Sequence, residues 1–155
     1  MNPDFLFRIA NNLALFGWFV LIFLPRWRWA ARLVGPVLIP VLLSAIYATL
    51  VIAVFGHAGG GFTSLSSVAF LFQNRYMLLA GWVHYLVFDL FVGSWEVRDA
   101  QRIGIAHYLV VPCLILTFLF GPAGWLLYFL VRTVATRLIG MNDAYAEVMT
   151  GIASS

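Results

Sequence analysis

Apolar residues in this chain come in long unbroken runs, not at the spacing of a helix or strand with one wet face. Four runs stand out, separated by short polar links. The first extends from Phe5 to Leu24, carries Arg8, Asn11 and Asn12 near its start, and is stopped by Pro25 and Arg26. The second, Leu33 to Phe55, contains no charge; Pro36 and Pro40 lie near its start, where a missing amide donor costs least. The third is Tyr76 to Trp95 and the fourth Ile103 to Val131. An apolar stretch of about 20 residues is long enough to cross a bilayer as a helix. The pattern therefore predicts an all-α integral membrane bundle of four transmembrane helices. The fourth run is longer than a span needs. Pro112 predicts a kink in it, and Gly121-Pro122-Ala123-Gly124 a bend or break, with a short re-entrant or fifth segment as the alternative.

The links refine this picture. Arg26-Trp27-Arg28-Trp29-Ala30-Ala31-Arg32 combines cations and indoles, as a membrane–water interface favours. Gly56 to Ser67 reads as the main loop, flexible through Gly59-Gly60-Gly61, and lacks the Gly-Lys-Ser/Thr ending of a phosphate-binding loop. Leu65 to Phe72 is too short to span. Glu96 to Arg102 reads as a polar link between runs three and four, and the chain from Arg132 onward as a surface tail. One membrane domain over residues 1–135 and a polar tail over 136–155 follow. Arg26, Arg28, Arg32, Arg98 and Arg102 would lie on one side and Arg8, Arg75, Arg132 and Arg137 on the other, a bias of five to four toward cytoplasmic links. The start Met1-Asn2-Pro3-Asp4 lacks the basic character of a cleaved signal, so run one is expected to be retained.

Composition supports a membrane protein and excludes most soluble classes. Of 155 residues 63% are hydrophobic and 10% charged, with mean hydropathy +0.97, where soluble domains are roughly a quarter charged. The net charge is +3 and all nine basic residues are arginine. Lysine-free usage fits a GC-biased genome and a bacterial owner, hence a multi-pass protein of the inner membrane. Nucleic acid is not an expected partner of so apolar a chain. Cys113 is alone, so no disulfide can form within the chain.

Chemistry concentrates in run three. An ionisable group in mid-bilayer costs roughly 2.5–3.5 kcal/mol on insertion scales, so Asp89 should face the bundle interior or a wet cavity. Its candidate partners are an arginine of a link, Asn11, Asn12 or Tyr85. At about 100° per residue, Trp82, Tyr85, Asp89 and Glu96 share one face, and His84, Phe88, Phe91 and Trp95 another. His84 could bond across helices or act as a base near neutrality. Glu96, Asp99 and His107 form a weak alternative cation site, with Glu96 and Asp99 at i,i+3 spacing but no Glu-x-x-His pattern. No cofactor is called for. Aromatic residues make up 17% of the chain, and an aromatic-lined cleft between helices would suit a long rigid lipid such as a carotenoid.

The segment Ala80-Gly81-Trp82-Val83-His84-Tyr85-Leu86-Val87-Phe88-Asp89-Leu90-Phe91, with Asp99-Ala100 and the run Val111 to Pro122, resembles the abscisic-acid-deficient-four-like, neoxanthin-synthase-associated membrane family. The resemblance extends from run one to about Arg132. It implies a small four-span protein concerned with carotenoid or other isoprenoid lipid, its plant relatives being tied to conversion of violaxanthin to neoxanthin. That conversion opens an epoxide into an allene and an alcohol without net redox change. It needs an acid on the epoxide oxygen and a base at the polyene. Asp89 is then the candidate acid, His84 the candidate base, and Trp82, Tyr85 and Phe88 the candidate substrate contacts. The competing expectations are a noncatalytic pigment- or lipid-binding protein, and a subunit of a homo-oligomer or larger membrane complex.

Overall fold

The computed structural model describes residues 2–25 and 37–136. The Arg-Trp link, the first residues of run two and the tail from Arg137 lie outside them. Among the described residues the chain is all-helical: α1 (Pro3–Phe23), α2 (Ile39–Val54), α3 (Leu65–Leu71), α4 (Arg75–Ile103), α5 (His107–Phe120) and α6 (Pro122–Thr136). The chain divides into two compact units, residues 1–91 and 92–155, with α4 running through both. Among the described residues three helices are long and apolar enough to cross a membrane: α1, α2 with its 3-10 extension to His57, and α4.

In the N-terminal unit, α1 starts where Asn2 accepts the Asp4 amide and Pro3 takes a first-turn position that needs no donor. Its buried stripe of Ala10, Ala14, Gly17 and Leu21 follows helical spacing. Phe5, Phe16, Phe19 and Phe23 point outward and are exposed. Large apolar side chains on the outer surface are what lipid solvates and water does not. Asn74 starts α4 by accepting the Tyr76 and Met77 amides.

Three contacts fix α1 and α4 as parallel neighbours in one register. Arg75 pairs with Asp4 at 2.8 Å, the Trp82 indole donates to Asn11 Oδ1 at 2.8 Å, and Leu90 lies against Gly17. A Cβ on Gly17 would sit 2.8 Å from Leu90 and 3.1 Å from Ile39, so glycine is what lets the helices approach here. Helix α2 runs the opposite way, with Ile39 near Gly17 and Tyr47 against His84. Between α2 and α4, Ser64 caps the short α3 by accepting the Ser67 amide.

One sequence expectation is corrected in the C-terminal unit and another is sharpened. Glu96–Arg102 is not a link: α4 continues through it to Ile103, 29 residues in all and roughly 43 Å long. Those residues are adequate helix formers, and the stop comes at Gly104. Its φ of +76° and the Ile105 amide bonded to the Ala100 carbonyl make a left-handed cap. Run four breaks where Gly121-Pro122-Ala123-Gly124 led one to expect it. Gly121, at φ +42°, turns the chain, and Pro122 opens α6. α6 doubles back on α5 so tightly that a Cβ on Gly124 would collide with the Thr117 backbone. At 14 residues, α5 is only ~21 Å long, short of a ~30 Å hydrocarbon core. Among the described residues the four-span expectation thus meets three helices of span length and a hairpin whose first arm is too short to cross.

This geometry makes a topological prediction. A hairpin that enters and leaves on one side leaves the chain ends on opposite sides of the membrane; four spans would leave them together. Reporters placed before Phe5 and after Ser155 should report different compartments. A cysteine replacing Ala123, in a Cys113→Ser background, should resist membrane-impermeant maleimide from either side. Labelling at Ala123 would point instead to a crossing at the turn.

Candidate functional site

The parallel register of α1 and α4 opens a cleft of about 500 Å³ between them. Pro3, Asp4 and Phe7 form one wall, and Arg75, Leu78 and Trp82 the other. The Phe7 and Trp82 rings lie 5.9 Å apart. A second cleft, about 440 Å³, lies between α2 and α4 under the loop. Tyr47, Phe55, Phe62 and Phe72 make it aromatic, and His84 is its one imidazole. Phe55 and Phe62 stack at 5.6 Å, while the His84 ring sits 5.6 Å from Tyr47 and 4.6 Å from Phe88. Both volumes fall in the range of small-molecule sites.

The residues singled out in run three separate as helical spacing predicts. Trp82 lines the first cleft and packs on Tyr85 at 5.4 Å. The Tyr85 hydroxyl donates to the Asp89 carboxylate one turn on. Asp89 is only 9% exposed, and its Oδ2 is buried with no hydrogen-bond partner among the described residues. Among the described residues Tyr85 is the candidate partner found, and Asn11 is engaged by Trp82; Arg26, Arg28 and Arg32 lie outside them. His84 is exposed on the other face, in the second cleft, with Phe88 beside it. Asp89 lines neither cleft. The candidate acid and base therefore have different surroundings, and only the base adjoins open space in these two clefts.

The weak cation set does not come together: no group of three His, Cys, Asp or Glu side chains capable of holding a metal occurs among the described residues. Glu96 and Asp99 instead belong to a buried network in the C-terminal unit. Thr117 donates to Glu96 Oε1 at 2.9 Å. Asp99 Oδ2 accepts from the Tyr128 hydroxyl at 2.8 Å and from Arg132 Nε at 2.9 Å. The Trp95 ring meets Tyr128 edge-on at 5.5 Å. Glu96, Thr117, Tyr128 and Arg132 are fully buried. Reading Arg132 as the start of a surface tail was wrong: it lies on α6, one turn after Tyr128, on the side facing α4. The i,i+4 spacing of Tyr128 and Arg132 against the i,i+3 spacing of Glu96 and Asp99 was the available signal. It became visible only once α5 and α6 were separate helices.

A sequence model described as ABA DEFICIENT 4-like matches residues 5–128. The chain belongs to the ABA DEFICIENT 4-like family. The match spans nearly all of both clefts, the Tyr85–Asp89 pair, and Glu96, Asp99 and Tyr128, and ends four residues short of Arg132. No curated protein and no solved structure matches the chain. This family member is a membrane protein by its three long apolar helices.

The network yields a stability prediction. Removing one partner of a buried ion pair leaves the other charge unmet, a loss of about 3–5 kcal/mol. Arg132→Leu should therefore lower the thermal midpoint in detergent markedly. Asp99→Leu combined with Arg132→Leu should cost less than either single change, because no buried charge is stranded. A double-mutant cycle read by thermal unfolding checks this, and simple additivity would count against the pair.

Proposed function

We propose that this ABA DEFICIENT 4-like protein binds a long apolar isoprenoid of the carotenoid class in the cleft between α2 and α4, as a multi-pass protein of a bacterial inner membrane. The carrying observation is the lining of that cleft: four aromatic rings and one imidazole, with Asp89 buried elsewhere. Aromatic faces supply large apolar contact to a rigid polyene with little loss of side-chain freedom. His84 and Tyr47 are the groups that can hydrogen-bond an oxygen on such a ligand. Membership in a carotenoid-related family supports the ligand class.

The second reading is catalytic: an epoxy-carotenoid isomerase, or its accessory, with Asp89 as acid and His84 as base. Family membership is what favours it. Its difficulty is geometric, because proton transfer needs each group within hydrogen-bond reach of the reacting atoms. The clefts adjoin His84 and leave Asp89 within the helix packing, hydrogen-bonded to Tyr85. For the binding reading, the Tyr85–Asp89 pair positions α4 and Phe88 packs on His84, while Trp82 lines the other cleft.

Gently purified protein should carry coloured or isoprenoid material identifiable by mass spectrometry. His84→Gln should weaken rebinding of an oxygenated carotenoid by roughly two- to tenfold, the worth of one neutral hydrogen bond. It should leave binding of an unoxygenated carotene unchanged. Asp89→Asn should leave both affinities unchanged. Loss of conversion of an epoxy-carotenoid in both Asp89→Asn and His84→Gln, with binding intact, would establish the catalytic reading in its place.

A further inference from the structure

The two clefts of the N-terminal unit meet at the same two residues, Phe72 and Gly81. Gly81 is where α4 offers no side chain between its α1-facing and α2-facing grooves. What covers it is the Phe72 ring: a Cβ built on Gly81 would lie 2.9 Å from Phe72 Cε1 and 3.2 Å from Cζ. Phe72 caps the end of α3 and is 36% exposed, so its ring is an edge of the loop, not part of the packed core. Beyond this point each cleft has its own polar groups, Asp4 and Arg75 in one and Tyr47 and His84 in the other. The boundary itself is apolar.

We propose that the two clefts are arms of one binding site for an elongated isoprenoid, which crosses α4 over Gly81, and that Phe72 and Gly81 together select ligand length. This rests on reading the His84 cleft as an isoprenoid site. Either arm alone, at about 500 or 440 Å³, suits a short ligand. The two together approach ~1,000 Å³, the upper end of small-molecule sites. A long ligand needs the crossing open, and rotation of one partly exposed side chain is a fast, small motion. Any side chain at residue 81 would push against Phe72 and narrow the passage. Such a clash rejects the long ligand while sparing a short one that stays in one arm.

The test uses the full chain in lipid nanodiscs with two probes, twenty-carbon retinol and forty-carbon β-carotene. Gly81→Val should weaken β-carotene by about tenfold or more and leave retinol within about threefold. Adding Phe72→Ala should restore β-carotene binding, because the new side chain then has room. Should Gly81→Val melt early, Gly81→Ala, with a single Cβ, should show the same selective loss at smaller size. Equal loss of both probes in a variant of normal thermal stability, or no loss of either, overturns the length-selecting pair. Wild-type protein that takes up retinol but not β-carotene overturns the joined site and cuts the cleft reading back to a shorter isoprenoid held in one arm. Wild-type protein that binds neither probe overturns that reading, and the joined site with it.

Discussion

In hydrocarbon there is no water to satisfy a polar side chain, so each one carried into a membrane protein must find its partner in the chain itself. That constraint organises the described structure. Asn11 meets the Trp82 indole and Asp89 meets Tyr85 in the N-terminal unit. Thr117 meets Glu96, and Tyr128 and Arg132 converge on Asp99 in the C-terminal unit. Each of these bonds also fixes a helix. The Trp82–Asn11 bond helps set the parallel register of α1 and α4, and the Asp99 network holds α6 against the end of α4. Nonspecific apolar packing gives helices in lipid little preference for one neighbour over another. These polar pairs therefore carry much of the specificity.

The same register creates the sites. Parallel α1 and α4 leave one cleft, and α2 running the other way leaves a second, with Gly81 and Phe72 at their boundary. Glycine appears where helix and ring, or helix and helix, must come close: Gly17 against Leu90, Gly81 against Phe72, Gly124 against Thr117. The candidate acid is held inside the helix packing while the imidazole lines open space. This difference in burial, rather than either residue type, turns the reading from catalysis toward binding.

Much of this was legible beforehand. Runs one, two and three became long helices, and the divergence of His84 from Asp89 followed from helical spacing alone. Asp89 is buried, as the cost of a carboxyl facing lipid requires. Two readings failed for a common reason: hydropathy scores residues one at a time. Glu96–Arg102 reads as a link because charge usually marks a boundary, yet two of its charges point into the protein. Arg132 reads as surface for the same reason. The break at Gly121-Pro122 was legible from glycine and proline, but nothing local gave the tight return of α6 onto α5.

The sequence by itself determined that the chain is helical and belongs in a membrane, because several apolar runs of span length in a chain of 155 residues leave too little polar surface to cover them in water. It also determined which face of run three each polar residue would occupy, since helical geometry is local. Only the tertiary structure decided that α4 extends to Ile103, that α5 and α6 form a hairpin, and that Arg132 and Asp99 are partners. These depend on contacts between residues up to 33 positions apart, where one charge is acceptable in an apolar interior only because another is brought beside it.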